Sequence, residues 1–430
     1  MMYRDQLVRS VRVASAVTAV AIGLMTCAAV STAQENVGDC NGDGAVTVDE
    51  LITGVNIALD SLPLSNCPQF DVNTDGQVTI DELIQGVNLA LAGTSQQFAF
   101  VIATDFQTGS FGTVALDDTR AVTPVNSSRL INGDAVARTY GGLVYILNRF
   151  GADNLQILDP AHDFATTLQC STGAGSNPND IAFVSSTKAY VALFADAKVL
   201  IVNPSARTDC SDFVLGHIDL SAYADSDGIP DMNQLAVVGD QLFVSLQRLT
   251  NFVPTMPGAL VVIDTVTDQV VKPIELAGKN PFGQTKGLTM FDGELLIGEV
   301  GVFGMNDGGI EQINPDSGIS DGFVMTEAEL GGDVTDFVFV SAELGYAILS
   351  KLDFTNALVA FDPSTRTVTH TLIGSGNLAD IELDPHGNLF VADRNASKPG
   401  IRIFRASDGV ELTASPLDLG LPPFDIVFIP

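Results

Sequence analysis

The sequence predicts a mainly β repeat protein with a small α-helical module in front of it. A short strand that ends in a turn recurs seven times after residue 97, at steps of 42, 44, 61, 50, 48 and 43 residues. A second marker, a polar residue that opens an alternating apolar strand, is interleaved with the first. No helical periodicity of useful length follows Leu91. Two interleaved strand markers at this period are typical of a seven-bladed β-propeller.

The composition limits the classes of protein to which the chain can belong. Hydrophobic residues make up 46% of the 430 residues, enough to bury a core, so general disorder is excluded. Lys and Arg number 20 against 52 Asp and Glu, a formal charge of −32. This balance argues against nucleic acid and anionic lipid as partners. The sequence has no Trp, which excludes blades built on Trp-Asp repeats.

The first 33 residues have the layout of a secretory signal peptide. Three arginines within the first 12 residues precede an apolar run at 13–30 and small residues at 31–33. The alternative is a membrane anchor, but the hydrophilic residues 34–36 favour cleavage after Ala33. No later segment is apolar enough to span a membrane. We therefore expect a secreted, extracellular or periplasmic monomer, with attachment to the cell surface as a further option.

Four cysteines remain after the predicted cleavage: Cys40, Cys67, Cys170 and Cys210. An even number of cysteines in an exported chain predicts disulfides, and three connectivities are open. The local choice pairs Cys40 with Cys67 and Cys170 with Cys210, one bridge in each domain. The alternative of free buried thiols does not suit an oxidising compartment.

Residues 36–93 contain two twelve-residue segments, 32 residues apart, with the pattern of an EF-hand calcium loop. Asp or Asn stands at positions 1, 3 and 5, Gly at position 6 and Glu at position 12. Calcium is a hard cation that takes 6–8 oxygen ligands, which this pattern supplies. The predicted ligands are Asp39, Asn41, Asp43, Ala45, Thr47 and Glu50, then Asp71, Asn73, Asp75, Gln77, Thr79 and Glu82.

Each loop is followed by a helix-period run, at 51–59 and 83–91. The five residues after the predicted cleavage are too few for a helix before the first loop, and the segment 61–68 before the second is loop-like. Two such loop-then-helix units resemble a dockerin module. The resemblance implies calcium-dependent folding and attachment to another extracellular component. The chain departs from many dockerins in having Glu50 and Glu82 at position 12 and a Val-Asp or Ile-Asp pair at positions 10 and 11. Calcium that only holds a small stalk together is the alternative.

Residues 97–430 form the predicted propeller. Its last strand, Phe424–Ile429, is expected to complete the first blade beside Phe98–Ala103, because the first blade lacks its own opening marker. The segment 384–404 resembles an NHL repeat, and the other blades resemble the looser repeats of YVTN-type surface propellers. These resemblances imply the fold and no chemistry.

Five strand openers of the propeller are aspartates: Asp134, Asp180, Asp336, Asp380 and Asp425. Their place at the start of each innermost strand predicts a ring at one mouth of the central channel. Such a ring would hold a cation or repel anions. The alternative, favoured because one residue type recurs in blade after blade, is that each Asp accepts backbone N–H bonds.

The connector 203–234 is the longest between blades and contains Asp225, Asp227 and Asp231, in a turn that resembles a thrombospondin-type calcium motif. The next blade has an enlarged loop at 247–258. Connectors and second-to-third-strand loops open on the same face of a propeller, so a partner site is predicted there, with Arg248, Asn251 and Phe252 as candidates. A solvated loop without a ligand is the alternative.

No catalytic residue is assigned, because the four His are scattered and the sequence has no catalytic triad spacing, phosphate loop or Cys/His cluster. We predict a secreted or surface-attached Ca²⁺-binding protein whose propeller is a binding or display scaffold for an extracellular protein or glycan. The alternative is an enzyme, lactonase-type or a polysaccharide-acting hydrolase or lyase, since carboxylate pairs form in space. A structural envelope protein is a third hypothesis.

Overall fold

The computed structural model describes residues 37–40, 46–73, 75–91, 97–206, 209–353 and 355–429. The predicted signal peptide and three predicted ligands of the first calcium loop, Asn41, Asp43 and Ala45, lie outside these residues. The chain divides into two compact units, Met1–Thr94 and Ser95–Pro430.

The first unit contains two helices, α1 (Val48–Ala58) and α2 (Ile80–Leu91), with two short 3-10 turns between them at Leu64–Asn66 and Pro68–Phe70. Thr47 caps α1 in a capping box with Glu50, which satisfies two of the N–H groups at the helix start.

The core of the first unit is centred on Phe70, which is fully buried beside Ile57, Cys67 and Val78. A Cβ at Gly38, Gly54 or Gly86 would lie 2.7, 2.5 or 2.6 Å from the Phe70 ring, so only glycine allows this close approach. The disulfide Cys40–Cys67 joins this core. It confirms the local pairing expected from the sequence.

The second unit consists of seven sheets that follow one another along the chain, which confirms the seven-bladed propeller. Blade 1 contains β1 (Phe98–Thr104), β2 (Gly109–Ala115) and β3 (Val122–Thr123), and blade 2 contains β4 (Ala135–Tyr140), β5 (Leu143–Asn148), β6 (Asn154–Asp159) and β7 (Ala165–Ser171). Blade 3 contains β8 (Pro178–Ser185), β9 (Lys188–Leu193), β10 (Lys198–Val202) and β11 (Val214–Asp219). Blade 4 contains β12 (Met232–Val238), β13 (Gln241–Leu246), β14 (Leu249–Thr250), β15 (Val253–Pro254), β16 (Ala259–Asp264) and β17 (Gln269–Glu275).

Blade 5 contains β18 (Leu288–Phe291), β19 (Glu294–Glu299), β20 (Gly309–Asn314) and β21 (Ile319–Thr326), and blade 6 contains β22 (Asp333–Ser341), β23 (Leu344–Ser350), β24 (Asn356–Asp362) and β25 (Thr367–Gly376). Blade 7 contains β26 (Leu378–Leu383), β27 (Asn388–Asp393) and β28 (Gly400–Arg405), and the last strand is β29 (Pro423–Ile429). A short helix, α3 (Glu327–Leu330), precedes β22. Strands β14 and β15 form a separate hairpin inside blade 4. No helix among the described residues is long and apolar enough to cross a membrane.

The final strand belongs to the first blade. Strand β29 pairs antiparallel with β1, from Phe98 opposite Ile429 to Ala103 opposite Pro423. Blade 1 therefore takes its innermost strand from the end of the chain, which leaves no open edge between the first and last blades.

A second disulfide, Cys170–Cys210, joins two neighbouring blades. Cys170 lies in β7, the outermost strand of blade 2, and Cys210 lies between β10 and β11 of blade 3. This pairing is also the local choice expected from the sequence.

Candidate functional site

In the second predicted calcium loop, the side-chain oxygens accept hydrogen bonds from backbone N–H groups of the same loop. Asp71 accepts the N–H groups of Asp75 (3.0 Å) and Gly76 (2.9 Å) with its two carboxylate oxygens. Asn73 Oδ1 also accepts the Asp75 N–H at 2.9 Å, and Asp75 Oδ1 accepts that of Gln77 at 2.9 Å. Gly76 has φ +86°, so the sharp turn predicted at position 6 is present.

Glu82, at position 12, reaches back from α2 to the loop and is buried. Its Oε1 accepts the Val72 N–H at 3.0 Å, and its Oε2 accepts the N–H and hydroxyl of Thr79 at 2.8 and 2.9 Å. Burial opposes ionisation, but these hydrogen bonds outweigh it and lower the pKa of Glu82. Glu82 is therefore a carboxylate that faces the loop.

Glu50 makes the same contacts in the first loop. It accepts the N–H of Cys40 at 2.9 Å and that of Thr47 at 2.8 Å, at loop positions 2 and 9. Asp39, at position 1, is buried. The two predicted loops therefore share one pattern of hydrogen bonds wherever both are described.

The donor atoms of the second loop are all oxygens, which suits a hard cation such as Ca²⁺ better than a thiolate- or imidazole-preferring metal. Within the described part of the chain, no three His, Cys, Asp or Glu side chains form a group that could hold a metal on their own. The predicted coordination also uses an Asn amide and a backbone carbonyl, so the calcium sites stay a prediction.

The long connector and the enlarged loop lie together, as the shared face predicts. Asp225 Oδ2 accepts the hydroxyls of Thr250 (2.6 Å) and Thr255 (2.7 Å), and Asp231 Oδ2 accepts the Leu249 N–H at 2.7 Å. The connector thereby holds the β14–β15 hairpin in place.

Asp227, by contrast, caps its own turn by accepting the Ile229 N–H at 2.9 Å. Burial, followed by the charges of Asp227 and Asp225, raises the pKa of Asp231 to about 7. The three aspartates are thus near one another, while calcium at this turn stays a prediction.

Two of the three residues predicted for a partner face are exposed, and one is not. Asn251 and Phe252 form the turn of the β14–β15 hairpin, with φ +54° and +62°. Arg248 is buried, and its guanidinium donates to the carbonyls of Tyr223 (2.9 Å) and Pro257 (3.1 Å). Arg248 is therefore removed from the predicted face, because its charge is used to secure the loop.

Four of the five predicted ring aspartates form links between neighbouring blades. Each is buried and accepts an N–H from the innermost strand of the next blade. The pairs are Asp180 with Leu235 (2.8 Å), Asp336 with Ile381 (2.8 Å), Asp380 with Ile426 (2.7 Å) and Asp425 with Ala137 (2.5 Å). This geometry favours the backbone-bonding role over a cation ring.

The fifth aspartate, Asp134, is not a member of this ring. It lies one residue before β4 and pairs with Arg149 at 2.5 Å. Asp425 accepts the N–H of Ala137, so the opening position of blade 2 is Val136, two residues after Asp134. The sequence assignment was wrong in register because a polar residue also precedes this strand.

Burial changes the charge of the ring. It raises the pKa of Asp336 to about 8 and that of Asp425 to about 6, and it raises the pKa of Asp380 well above its ordinary value. The Asp336 and Asp380 carboxyls also share a hydrogen bond, which requires one proton between them. Asp180 is paired with Arg138 at 2.8 Å.

The segment 283–286, which precedes β18, crosses the channel at the level of the ring. The Arg138 guanidinium of blade 2 donates to the Thr285 carbonyl at 2.7 Å, and the Thr285 hydroxyl donates to Asp380 of blade 7 at 2.6 Å. Lys286 pairs with Glu382 of blade 7 at 3.2 Å. We call residues 283–286 the plug.

Cavities of about 380 and 320 Å³ lie next to the plug, and both are lined by Arg138, Lys286 and Phe183. Glu382 raises the pKa of Lys286, so this amine stays protonated and is a poor nucleophile. The ring carboxylates accept hydrogen bonds from backbone N–H groups of neighbouring blades. These contacts support the backbone-bonding role of the ring aspartates.

The sequence reasoning did not find the plug or the charged residues that meet it. A usable signal was present: Arg138 and Glu382 interrupt the apolar alternation of innermost strands, and the blade 5 opener is Gly287 where most blades have Asp. Charged residues at such positions need partners, and the plug supplies them.

No model of a protein family matches the chain, and no curated protein matches it. Solved structures do. A functionally unknown protein from Desulfotomaculum acetoxidans DSM 771 has a TM-score of 0.52 and 11% identity, over 77% of this chain and 98% of that one. Apo AztD from Citrobacter koseri has a TM-score of 0.47 and 12% identity, over 77% and 98%. A streptogramin B lyase has 0.47 and 11%, over 69% and 90%. At these identities the likeness concerns the fold alone.

Proposed function

We propose that this protein is an exported calcium-binding protein whose propeller is a rigid binding scaffold. The observation that carries the proposal is the second loop, where Asp71, Asn73, Asp75 and Glu82 direct their oxygens to one short stretch of backbone. Four oxygen-bearing side chains with the EF-hand spacing suit Ca²⁺.

Calcium would be held by Asp71, Asn73 and Asp75, with the Gln77 carbonyl and Glu82 on the far side of the loop. The ion would supply two positive charges that offset most of the charge of the three carboxylates Asp71, Asp75 and Glu82. The chain's own residues set the loop shape, through the turn at Gly76 and the capping box between Thr79 and Glu82. The first loop would bind a second ion in the same way.

Two disulfides support export, because such bonds persist in oxidising compartments. The predicted signal peptide agrees with this, although it lies outside the described residues.

The scaffold role is supported by the way the propeller uses its polar groups. The channel carboxylates link blades and the plug crosses the channel, whereas the connectors and second-to-third-strand loops are free to vary in length. A propeller whose channel residues hold the blades together and whose loops vary suits recognition of a partner on the face that carries these loops.

Calorimetric titration of the full chain with Ca²⁺ tests the calcium proposal. Two sites with Kd between about 10⁻⁶ and 10⁻³ M are expected. Asp75→Ala should weaken the second site by about tenfold or more, because it removes a charged ligand. Asp81→Asn, a change in the same segment at a position that is not a predicted ligand, is the matched control.

Absence of heat and of any calcium-dependent change in thermal unfolding up to millimolar Ca²⁺ would contradict the proposal. Equal effects of the Asp75 and Asp81 variants would also contradict the assignment of ligands.

A further inference from the structure

The exposed aromatic side chains of the propeller are concentrated in one class of loop. Of the phenylalanines that the structure describes, four are exposed: Phe106 (58%), Phe150 (78%), Phe252 (84%) and Phe303 (56%). Each lies in the loop between the second and third strands of a blade, in blades 1, 2, 4 and 5. Leu352, 80% exposed, has the same place in blade 6. We call the four phenylalanines together with Leu352 the aromatic face.

The five loops open on one side of the propeller, together with the connectors between blades. The Phe150 N–H donates to Asn177 in the connector after blade 2, at 3.0 Å. The Gly304 N–H, next to Phe303, donates to Asp333 at the start of blade 6, at 2.6 Å. The apolar side chains are therefore carried by anchored loops.

Two of the phenylalanines are held in a backbone conformation that bulky residues avoid. Phe106 has φ +66° and Phe252 has φ +62°. Glycine or asparagine would relieve this strain, and a polar residue would remove the exposed apolar surface. A strained and exposed phenylalanine on two separate blades indicates selection for contact with another molecule.

The aromatic face is acidic. Its loops and connectors expose five aspartates against two lysines: Asp105, Asp227, Asp307, Asp353 and Asp418, with Lys351 and Lys398. An apolar face with an excess of carboxylates is complementary to a surface that carries Arg and Lys.

The chain already shows this chemistry on the same face. The guanidinium carbon of Arg394 lies 4.6 Å from the centre of the Phe106 ring. Arginine over a phenyl ring gains cation–π attraction, and a nearby carboxylate adds an ion pair.

We propose that the aromatic face docks a basic surface of a partner protein, whose Arg and Lys side chains stack on the exposed phenyl rings and pair with the neighbouring aspartates. This rests on the proposed scaffold function and names the partner class. Aromatic anchors on rigid loops suit such an interface, because little conformational entropy is lost on binding.

The test measures binding of a defined probe to the full chain. The probe is a fluorescent twelve-residue peptide of alternating Arg and Ser, with alternating Glu and Ser as the negative control. Phe150→Ser combined with Phe252→Ser should weaken Arg-Ser binding by about tenfold, as two cation–π contacts of ordinary strength predict. The matched control combines Val271→Ser with Ile319→Ser, two exposed apolar residues (57% and 61%) on the outermost strands β17 and β21.

An aspartate variant separates stacking from charge. Asp105→Asn combined with Asp353→Asn should reduce the salt dependence of binding while the phenylalanine variant leaves it nearly unchanged. Thermal unfolding of every variant checks that the propeller is folded.

The proposal is overturned if the Arg-Ser peptide does not bind, or if the phenylalanine and control variants lose affinity equally. It is also overturned if phosphatidylcholine vesicles or maltohexaose bind in a phenylalanine-dependent way while the peptide does not. Running the assay with Ca²⁺ and with a chelator separates this result from the proposed EF-hand sites, since none of the residues changed in this test lies in the predicted calcium loops at 39–50 and 71–82.

Discussion

Glu299 illustrates how single residues of this acidic chain depart from ordinary behaviour. It lies at the end of β19, fully buried, and contacts the buried Glu311 of β20. Burial, and then the hydrogen bond with Glu311, raises the pKa of Glu299 well above its ordinary value. In α3, burial raises the pKa of Glu327 to about 8. Burial therefore favours the protonated form of both acidic groups over a wider pH range than in the unfolded chain.

The raised pKa values of these carboxyls predict that acidification stabilises the propeller. The folded state binds protons that the unfolded state releases above the ordinary carboxyl pKa, so the free energy of unfolding falls as pH rises from about 4.5 to about 8. Thermal unfolding should show a melting temperature that is several degrees higher at pH 5.5 than at pH 8.5.

Glu299→Gln should flatten part of this pH dependence, because the amide cannot lose a proton. The exposed Glu343→Gln is the control and should leave the slope as in the unchanged chain. A melting temperature that rises between pH 5.5 and 8.5 would show that these carboxyls are not protonated in the folded state.

At the scale of elements, the plug is a connector that has become part of the channel. Its Thr285 links Arg138 of blade 2 to Asp380 of blade 7, although the plug itself leads into blade 5. Blades that are distant along the chain are thereby tied across the axis. The ring aspartates make the corresponding links between neighbouring blades.

Thr285→Val tests the plug. It keeps the shape of the side chain but removes the hydroxyl that donates to the buried Asp380, and we expect a loss of about 1–3 kcal/mol in the free energy of unfolding. Denaturant unfolding measures it. Thr289→Val, in the following strand, is the control and should change stability by less than about 0.5 kcal/mol. Equal losses in the two variants would mean that the plug adds no particular stability.

At the scale of the whole molecule, closure depends on the seven residues of β29 (Pro423–Ile429) near the end of the chain. Strand β29 supplies the innermost strand of blade 1 and carries Asp425, which links blade 1 to blade 2. The first blade without it would expose the edge of β1 and a row of unpaired backbone groups.

A chain that ends at Pro422 should therefore lose cooperative unfolding and self-associate. Circular dichroism melting and size-exclusion chromatography measure these effects. The matched control is Asp425→Asn in the full chain, which keeps the strand and should unfold cooperatively with at most a moderate loss of stability, about 1–3 kcal/mol. A monomeric truncated chain that melts like the full chain would show that closure contributes little.

The sequence by itself determined the number of blades, because strand period and turn chemistry are local properties that repeat along the chain. It also favoured the local disulfide pairs and indicated that the connector 203–234 and the loop 247–258 share a face. These inferences need only sequence spacing and the topology of a propeller.

Only the tertiary structure decided which side chains meet across blades. It placed Val136 where Asp134 was expected, buried Arg248, brought the plug onto Arg138 and Asp380, and joined Glu299 to Glu311. It also gathered four exposed phenylalanines on one face. Such neighbours are set by packing between segments that are tens to hundreds of residues apart, and local periodicity carries no information about that packing.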